Sequence, residues 1–296
     1  MLDILIRLHD TADISLFKEA ISSIQSQSYK KYNITILGQS LSLKKRELLS
    51  LILKETNSYK IHNLELPAGD FRAYLLNYGF NACTSDYLAI LDYDDLVYVK
   101  SYELLIDDIE KNNADISFGG VRKVVFDPDQ HKILSFNEQA FWGPGTYYHF
   151  LNRPFFPIHS YVINLKKIKE SSLKLPQFPE ELSYLEDSCF LAQLLPIVKS
   201  SFTYYNQMLF DYRFRIDSDS FTLTQSKKTR KKWNESRAYF YALAKKMKVQ
   251  HEDIIFYENK NIVSRLKSVC IGFLNRKPFF KHIRDLITII RLKFWH

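Results

Sequence analysis

The feature that most constrains the fold is an alternation, through the first third of the chain, of short apolar runs with segments of helical periodicity. Ile4–Leu8, Ile34–Leu37, Ile61–Leu66 and Tyr87–Leu91 read as strands. Between them, Phe17, Ala20, Ile21 and Ile24 share one helical face behind cap candidates Asp13 and Ser15, Leu48, Leu49, Ile52 and Leu53 share another, and Phe71–Ala82 reads as a third helix. Strand and helix in strict alternation predict crossover units in an α/β fold with a mostly parallel central sheet flanked by helices. The fourth run ends in Asp92-Tyr93-Asp94-Asp95. In an open parallel sheet ligands gather beyond the carboxyl ends of strands. Carboxylates crowded there repel one another, and a cation or polar ligand among them relieves the repulsion.

The later sequence is less regular. Residues 102–111 read as a helix, 116–126 as a strand containing Gly119-Gly120, Leu182–Leu195 as a helix carrying Glu186-Asp187, and Ser201–Leu209 as a strand. Gly119-Gly120 is read as close packing beneath a ligand or as a bend in the strand. The aromatic, glycine- and proline-rich stretch 141–159 reads as active-site loops, with a structural aromatic cluster as the rival reading. From about 227 onward the chain becomes helical and basic. Residues 227–296 hold 18 Lys/Arg against 5 Asp/Glu, a net +13, whereas residues 1–226 carry a net −5. A 46% hydrophobic content supports a sizeable core, so disorder is not the default expectation. Three widely spaced cysteines, Cys83, Cys189 and Cys270, suggest neither a disulfide framework nor a zinc cluster. With no secretory pattern at the start and no apolar run of transmembrane length, the expectation is a cytoplasmic protein.

Four segments in order carry a family resemblance. They are Ser22-Ser23-Ile24-Gln25-Ser26-Gln27-Ser28-Tyr29 after the first helical face, Asn77-Tyr78-Gly79, Leu91-Asp92-Tyr93-Asp94-Asp95, and Leu185-Glu186-Asp187. Over residues 2–220 the chain resembles the GT-A glycosyltransferases of the large inverting family 2, of the kind that assemble bacterial surface polysaccharide and lipopolysaccharide. The resemblance implies a GT-A catalytic domain over 1–226, with 1–98 mainly the donor half and 99–226 mainly the acceptor half. A basic helical C-terminal extension follows over 227–296.

It also implies a nucleotide diphosphate sugar as donor, a glycan or lipid-linked glycan as acceptor, and Mg²⁺ or Mn²⁺ as cofactor. Asp94 becomes the leading metal ligand, Asp92 a donor contact or water-mediated metal contact, and Asp95 a supporting donor contact. Oxygen ligands hold a hard cation, which screens charge on the leaving diphosphate. Asp187 becomes the general base for the acceptor hydroxyl, with Glu186 orienting it. One displacement by one hydroxyl implies inversion.

On the donor side stand Arg7, Arg72 and Asn77, each with a structural alternative, together with Gln39, which occupies the position where the family often has an acidic residue. Arg213 and Arg215 are read in the loop that closes over donor phosphates. His159 and Ser160, beside Phe155-Phe156-Pro157, fall toward the acceptor. The Gln-x-x-Arg-Trp pattern of processive synthases is absent, so a nonprocessive enzyme is expected.

In the tail, Ile283, Leu286, Ile287, Ile290 and Phe294 form an apolar helical face. Two readings of it stay open: peripheral binding to the anionic cytoplasmic face of the inner membrane, and docking onto the catalytic domain or a dimer partner. Two other functions stand beside sugar transfer, a noncatalytic carbohydrate-binding protein and a basic nucleic-acid-binding protein. Nucleic acid is disfavoured because the strongest constellation is acidic.

Overall fold

A computed structural model describes residues 1–139, 156–170, 175–198, 202–216 and 227–249. The 141–155 loops, the Asp217–Ser220 stretch and the apolar tail face at 283–294 lie outside the described residues. The chain divides into two compact units, Met1–Met247 and Lys248–His296, and the sheet belongs to the first.

The N-terminal alternation folds as the sequence dictates. The chain runs β1 (Leu2–His9), α1 (Ile14–Gln25), β2 (Tyr32–Gln39), α2 (Leu43–Leu53), β3 (Tyr59–Leu64), α3 (Arg72–Ala82) and β4 (Tyr87–Ile90). All three ladders among these strands are parallel, β1 pairing β2 from Leu2↔Tyr32 to His9↔Gln39 and β4 on its other side. Strands covered on both faces need apolar residues at successive positions. Accordingly Leu5 joins one buried cluster with Leu37, Leu76 and Phe80, while Ile4 and Ile6 join the opposite one with Phe17, Ile34 and Ile36.

Local chemistry starts the helices. Asp13 accepts from the Ser15 N–H and Ser42 from the Lys45 N–H, capping α1 and α2. Gly79 lets α3 lie close on the sheet, since a Cβ there would sit 2.6 Å from Leu37 Cδ1.

The remaining elements are β5 (Leu96–Val97), α4 (Ser101–Asn112), β6 (Ile116–Asp127), β7 (Lys132–Gln139), β8 (Tyr161–Asn164), α5 (Leu165–Glu170), α6 (Glu186–Val198), β9 (Phe202–Arg215) and α7 (Lys227–Val249). The sheet order is β3-β2-β1-β4-β8-β6-β9-β5, with β7 hairpinned onto β6. This second half is mixed, with β8 antiparallel to both β4 and β6, and β6 parallel to β9. Gly119-Gly120 marks a register shift between β6 and β9. A Cβ on Gly120 would meet the Gln207 carbonyl at 2.6 Å, so the pair serves close strand packing.

Two boundaries differ from the sequence reading. The helix expected from Leu182 begins at Glu186, and the strand expected to end at Leu209 continues to Arg215. Residues 182–185 instead make a turn in which Leu185 has φ 61°, and its carbonyl accepts from the Cys189 N–H to start α6. Phe190 of α6 stacks on Phe178 at 4.1 Å and meets Phe80 edge-on, which anchors the helix to α3. Helix α7 buries Ser236, Phe240 and Ala244 along one stripe. Among the described residues no helix is long and apolar enough to cross a membrane.

Candidate active site

The sheet changes direction at β1, with β2 and then β3 to one side and β4 to the other. The carboxyl ends of β1 and β4 therefore part and leave a crevice. A cleft of about 440 Å³ opens there, lined from β1 by Arg7, from the turn after β4 by Asp92–Asp95, from the start of α6 by Glu186 and Asp187, and from β9 by Tyr212 and Arg213. Four segments distant in sequence thus meet in one site.

Arg7 is its central cation. Its Nε donates to Asp92 Oδ1 at 2.8 Å, Nη2 to Asp92 Oδ2 at 3.1 Å, and Nη1 to Glu186 Oε1 at 3.2 Å. Burial opposes the charge on Arg7, but Asp92 and Glu186 outweigh it and strengthen its hold on the proton. Burial likewise works to raise Asp92, and Arg7 reverses this, holding the carboxyl below its usual range. One guanidinium therefore ties the acidic turn to the start of α6.

Asp94 differs from Asp92. Burial, and then the neighbouring Asp95 and Asp92 charges, push it up to about 7. Arg215 Nη1 lies 3.5 Å from Asp94 Oδ2, which offsets only part of that cost. Asp95 is fully enclosed. Its Oδ1 accepts the Arg213 N–H at 2.7 Å, and its Oδ2 lies 2.9 Å from His159 Nδ1 at an angle short of a hydrogen bond. Burial works to lower His159, yet Asp95, with Asp92 and Asp94 behind it, raises it above the ordinary imidazole value.

Asp187 stands in the first turn of α6, where the helix dipole favours an anion. Even so, burial and then adjacent Glu186 push it up to about 6. A half-buried carboxylate poised near neutrality can take a proton from a hydroxyl brought against it. Leu185, at positive φ, aims this turn into the cleft, and non-glycine residues in that conformation cluster at functional sites.

The other sequence candidates divide. Gln39 and Arg72 line the cleft, Gln39 Nε2 donating to the Gly69 carbonyl at 3.0 Å and Arg72 pairing with Asp70 at 2.8 Å while donating to the Ser183 carbonyl. His159 lines it from beneath Asp95, 1% exposed. Asn77 is not among the lining residues. Its amide donates to the Phe178 carbonyl and Glu180 Oε1, both at 2.9 Å, and accepts the Phe178 N–H at 2.8 Å. Ser160 is also away from the lining, its hydroxyl donating to the Pro157 carbonyl at 2.7 Å.

Arg213 belongs to strand β9. Its guanidinium donates to the Asp94 carbonyl and to Glu19 of α1, over the Phe126 ring. Arg215 donates to the Tyr93 hydroxyl at 2.8 Å. Sequence reasoning did not single out Glu19, or Tyr184 and Trp233 of the cleft wall. Glu19 carries no local signal, whereas Trp233 beside a basic run was visible as a large aromatic off the tail's apolar face.

A half-parallel, half-mixed sheet with paired carboxylates at its switch point is the frame of the GT-A glycosyltransferases. The glycosyl transferase family 2 model matches residues 13–170, more than half of the chain, and the chain belongs to that family. Solved structures agree on the fold. TarS 1–349 from S. aureus in complex with UDP superposes with a TM-score of 0.58 at 10% identity, over 85% of this chain and 66% of that one. Longer S. aureus TarS gives 0.53 at 13% identity over 72% of this chain, which spans only 36% of that structure. The mannosyltransferase PcManGT of Pyrobaculum calidifontis, in complex with GDP-Man and Mn²⁺, gives 0.52 at 11% identity over 90% of this chain and 80% of that one. No curated protein sequence matches the chain.

Proposed function

We propose that the protein is an inverting, metal-dependent glycosyltransferase that moves a sugar from a nucleotide diphosphate donor to a glycan or lipid-linked acceptor in bacterial surface-polysaccharide synthesis. The observation that carries this is the pair of raised carboxyls in one cleft, Asp94 at about 7 beyond β4 and Asp187 at about 6 on α6. Solved structures of the same fold hold UDP, UDP-GlcNAc, or GDP-Man with Mn²⁺.

The donor set fits a hard divalent ion shared with a ligand. Among the described residues no group of three or more His, Cys, Asp and Glu could hold a metal by itself. Asp94, held uncomfortably between burial and like charges, gains most from a cation, with Asp92 offering the lone pairs that Arg7 leaves. The remaining positions would fall to donor phosphates and water, the usual arrangement for Mg²⁺. When bound, the ion supplies charge neutralisation at the leaving diphosphate.

The chain's own residues do the rest. Asp187 accepts the proton of the acceptor hydroxyl as its oxygen bonds to the anomeric carbon, and the electron pair of the breaking C–O bond leaves with the nucleoside diphosphate. Glu186 and Arg7 fix the start of α6, and His159 and Arg213 fix Asp95. Arg72 and Gln39 lie on the donor wall. On this reading the enzyme works on the cytoplasmic side, its basic C-terminal extension either meeting the anionic membrane surface beside a lipid-linked acceptor or packing on the protein.

The test is a screen of UDP- and GDP-sugars against lipid-linked and oligosaccharide acceptors with Mg²⁺, Mn²⁺ or chelator, followed by NMR of the product's anomeric configuration. Transfer with inversion that chelator abolishes is expected. Asp94→Asn should weaken donor binding in the presence of metal while leaving the metal-free affinity alone. Retention of configuration, or full turnover in chelator, would sink the proposal.

A further inference from the structure

The stripe that seats α7 does not end in the core. Ser236, Phe240 and Ala244 are buried, but Trp233, one turn earlier on the same stripe, is half-buried and emerges in the cleft wall. There its ring meets Tyr184 edge-on, centroids 5.6 Å apart and planes at 69°. Tyr184 also lines the cleft and sits three residues before Asp187. The two elements are registered to each other through Ser183, whose hydroxyl accepts from Lys232 Nζ of α7 at 3.4 Å and whose carbonyl accepts from Arg72. An aromatic corner is thus fixed to the same turn that presents the raised carboxyl.

We infer that Trp233 and Tyr184 form the acceptor subsite, taking the apolar C–H face of a sugar ring and setting one of its hydroxyls against Asp187. This rests on the glycosyl-transfer reading and adds to it a substrate class: the attacked hydroxyl belongs to a pyranose ring. Two rings inclined at 69° form a corner that suits a flat, half-apolar body. An acyclic polyol has no such face and gains nothing from it. In the transfer step the oxygen of a hydroxyl on the acceptor ring bonds to the donor's anomeric carbon, that hydroxyl's proton passes to Asp187, and the electron pair of the breaking C–O bond leaves with the diphosphate. Trp233 and Tyr184 bind and exchange no protons or electrons.

The chain's 3 tryptophans make the subsite observable without turnover. The full-length protein labelled with 5-fluorotryptophan should show a ¹⁹F resonance that disappears in Trp233→Phe and so belongs to Trp233. Methyl β-glycosides of glucose, galactose and N-acetylglucosamine serve as ring probes, and glycerol as the acyclic control. Saturable movement of the Trp233 resonance with at least one glycoside, and none with glycerol, is expected. No movement with any glycoside, or equal movement with glycerol, overturns the inference.

In transfer assays Trp233→Ala should raise the acceptor KM about tenfold, the factor that corresponds to roughly 1.4 kcal/mol. Donor KM should stay at the wild-type value, and Trp233→Phe should restore most of the loss. An unchanged acceptor KM in Trp233→Ala refutes the subsite while leaving glycosyl transfer standing. A wild-type protein that transfers nothing refutes the parent reading, and the fluorine titration still decides whether the corner binds sugar.

Discussion

Replacing Arg7 by Gln removes the cation that hydrogen-bonds both Asp92 and Glu186, leaving Glu186 its longer pair with Arg72 at 3.7 Å, and the structure sets the size of the effect. The Arg7 guanidinium makes three hydrogen bonds of 2.8 to 3.2 Å, and its side chain is 14% exposed against 21% for Asp92 and 5% for Glu186. At an effective dielectric of about 20, unit charges about 4 Å apart attract by about 4 kcal/mol, so two partners give a gross attraction of roughly 8 kcal/mol. Much of this only offsets desolvation, but removing one partner leaves that desolvation in place, and breaking such a buried pair costs about 3–5 kcal/mol. Against a typical total of about 5–15 kcal/mol the loss is large.

The pH dependence carries a sign. Asp92 is held below its usual value, so its contribution is complete above the ordinary carboxylate range and disappears as pH falls through the folded value. Arg7→Gln should therefore be weakened most near about pH 7, and the gap to wild type should narrow toward about pH 4 as the orphaned Asp92 takes up a proton in the variant, closing only below the folded value of Asp92 in the wild type. Urea unfolding at both pH values, for Arg7→Gln, Asp92→Asn and the double variant, measures this. The double variant should be more stable than Arg7→Gln alone at neutral pH. A loss under about 1 kcal/mol, in the range of an exposed pair, or strictly additive single effects, would refute the argument.

Two further variants test other contacts. Asp187→Asn should lower kcat by about 10²–10⁴ with donor affinity kept. The wild-type kcat should fall as pH drops through about 6, because the base must be ionised, and this acid limb should vanish in the variant. Asn77→Ala leaves the buried Phe178 N–H without its partner and should cost about 1–3 kcal/mol in chemical denaturation, with donor KM unchanged.

The parallel half was legible because β1, β2 and β4 are largely buried and announce themselves as apolar runs, with helical periodicity between them. The second half was not. Strand β8 has four residues and β5 two, and both are placed by partners far away in sequence, which local periodicity does not record. Leu182 and Leu185 mimicked a helix face, but both are partly buried hydrophobics packed beside the Phe178–Phe190 cluster from a turn. Among site residues, the acidic turn and Glu186-Asp187 were readable as charged residues next to apolar segments. The bonds that organise them were not, since Arg7 and Asn77 present the same residue types whether they face a ligand or the protein. Arg213 was read as a loop residue because no local pattern marks the continuation of β9 past Leu209.

That continuation has a consequence for how the molecule is made. The Arg213 N–H that fills Asp95 is separated from it by 118 positions, and the Arg213 guanidinium closes on Glu19 and the Asp94 carbonyl across still more of the chain. Synthesis delivers the acidic turn long before the strand that closes over it. The four parallel strands can pair early, but their carboxyl ends cannot settle until β9 has threaded in alongside β6. A chain halted before Phe202 should hold a sheet without a complete pocket, and the acidic wall of the cleft, although early in sequence, is completed last.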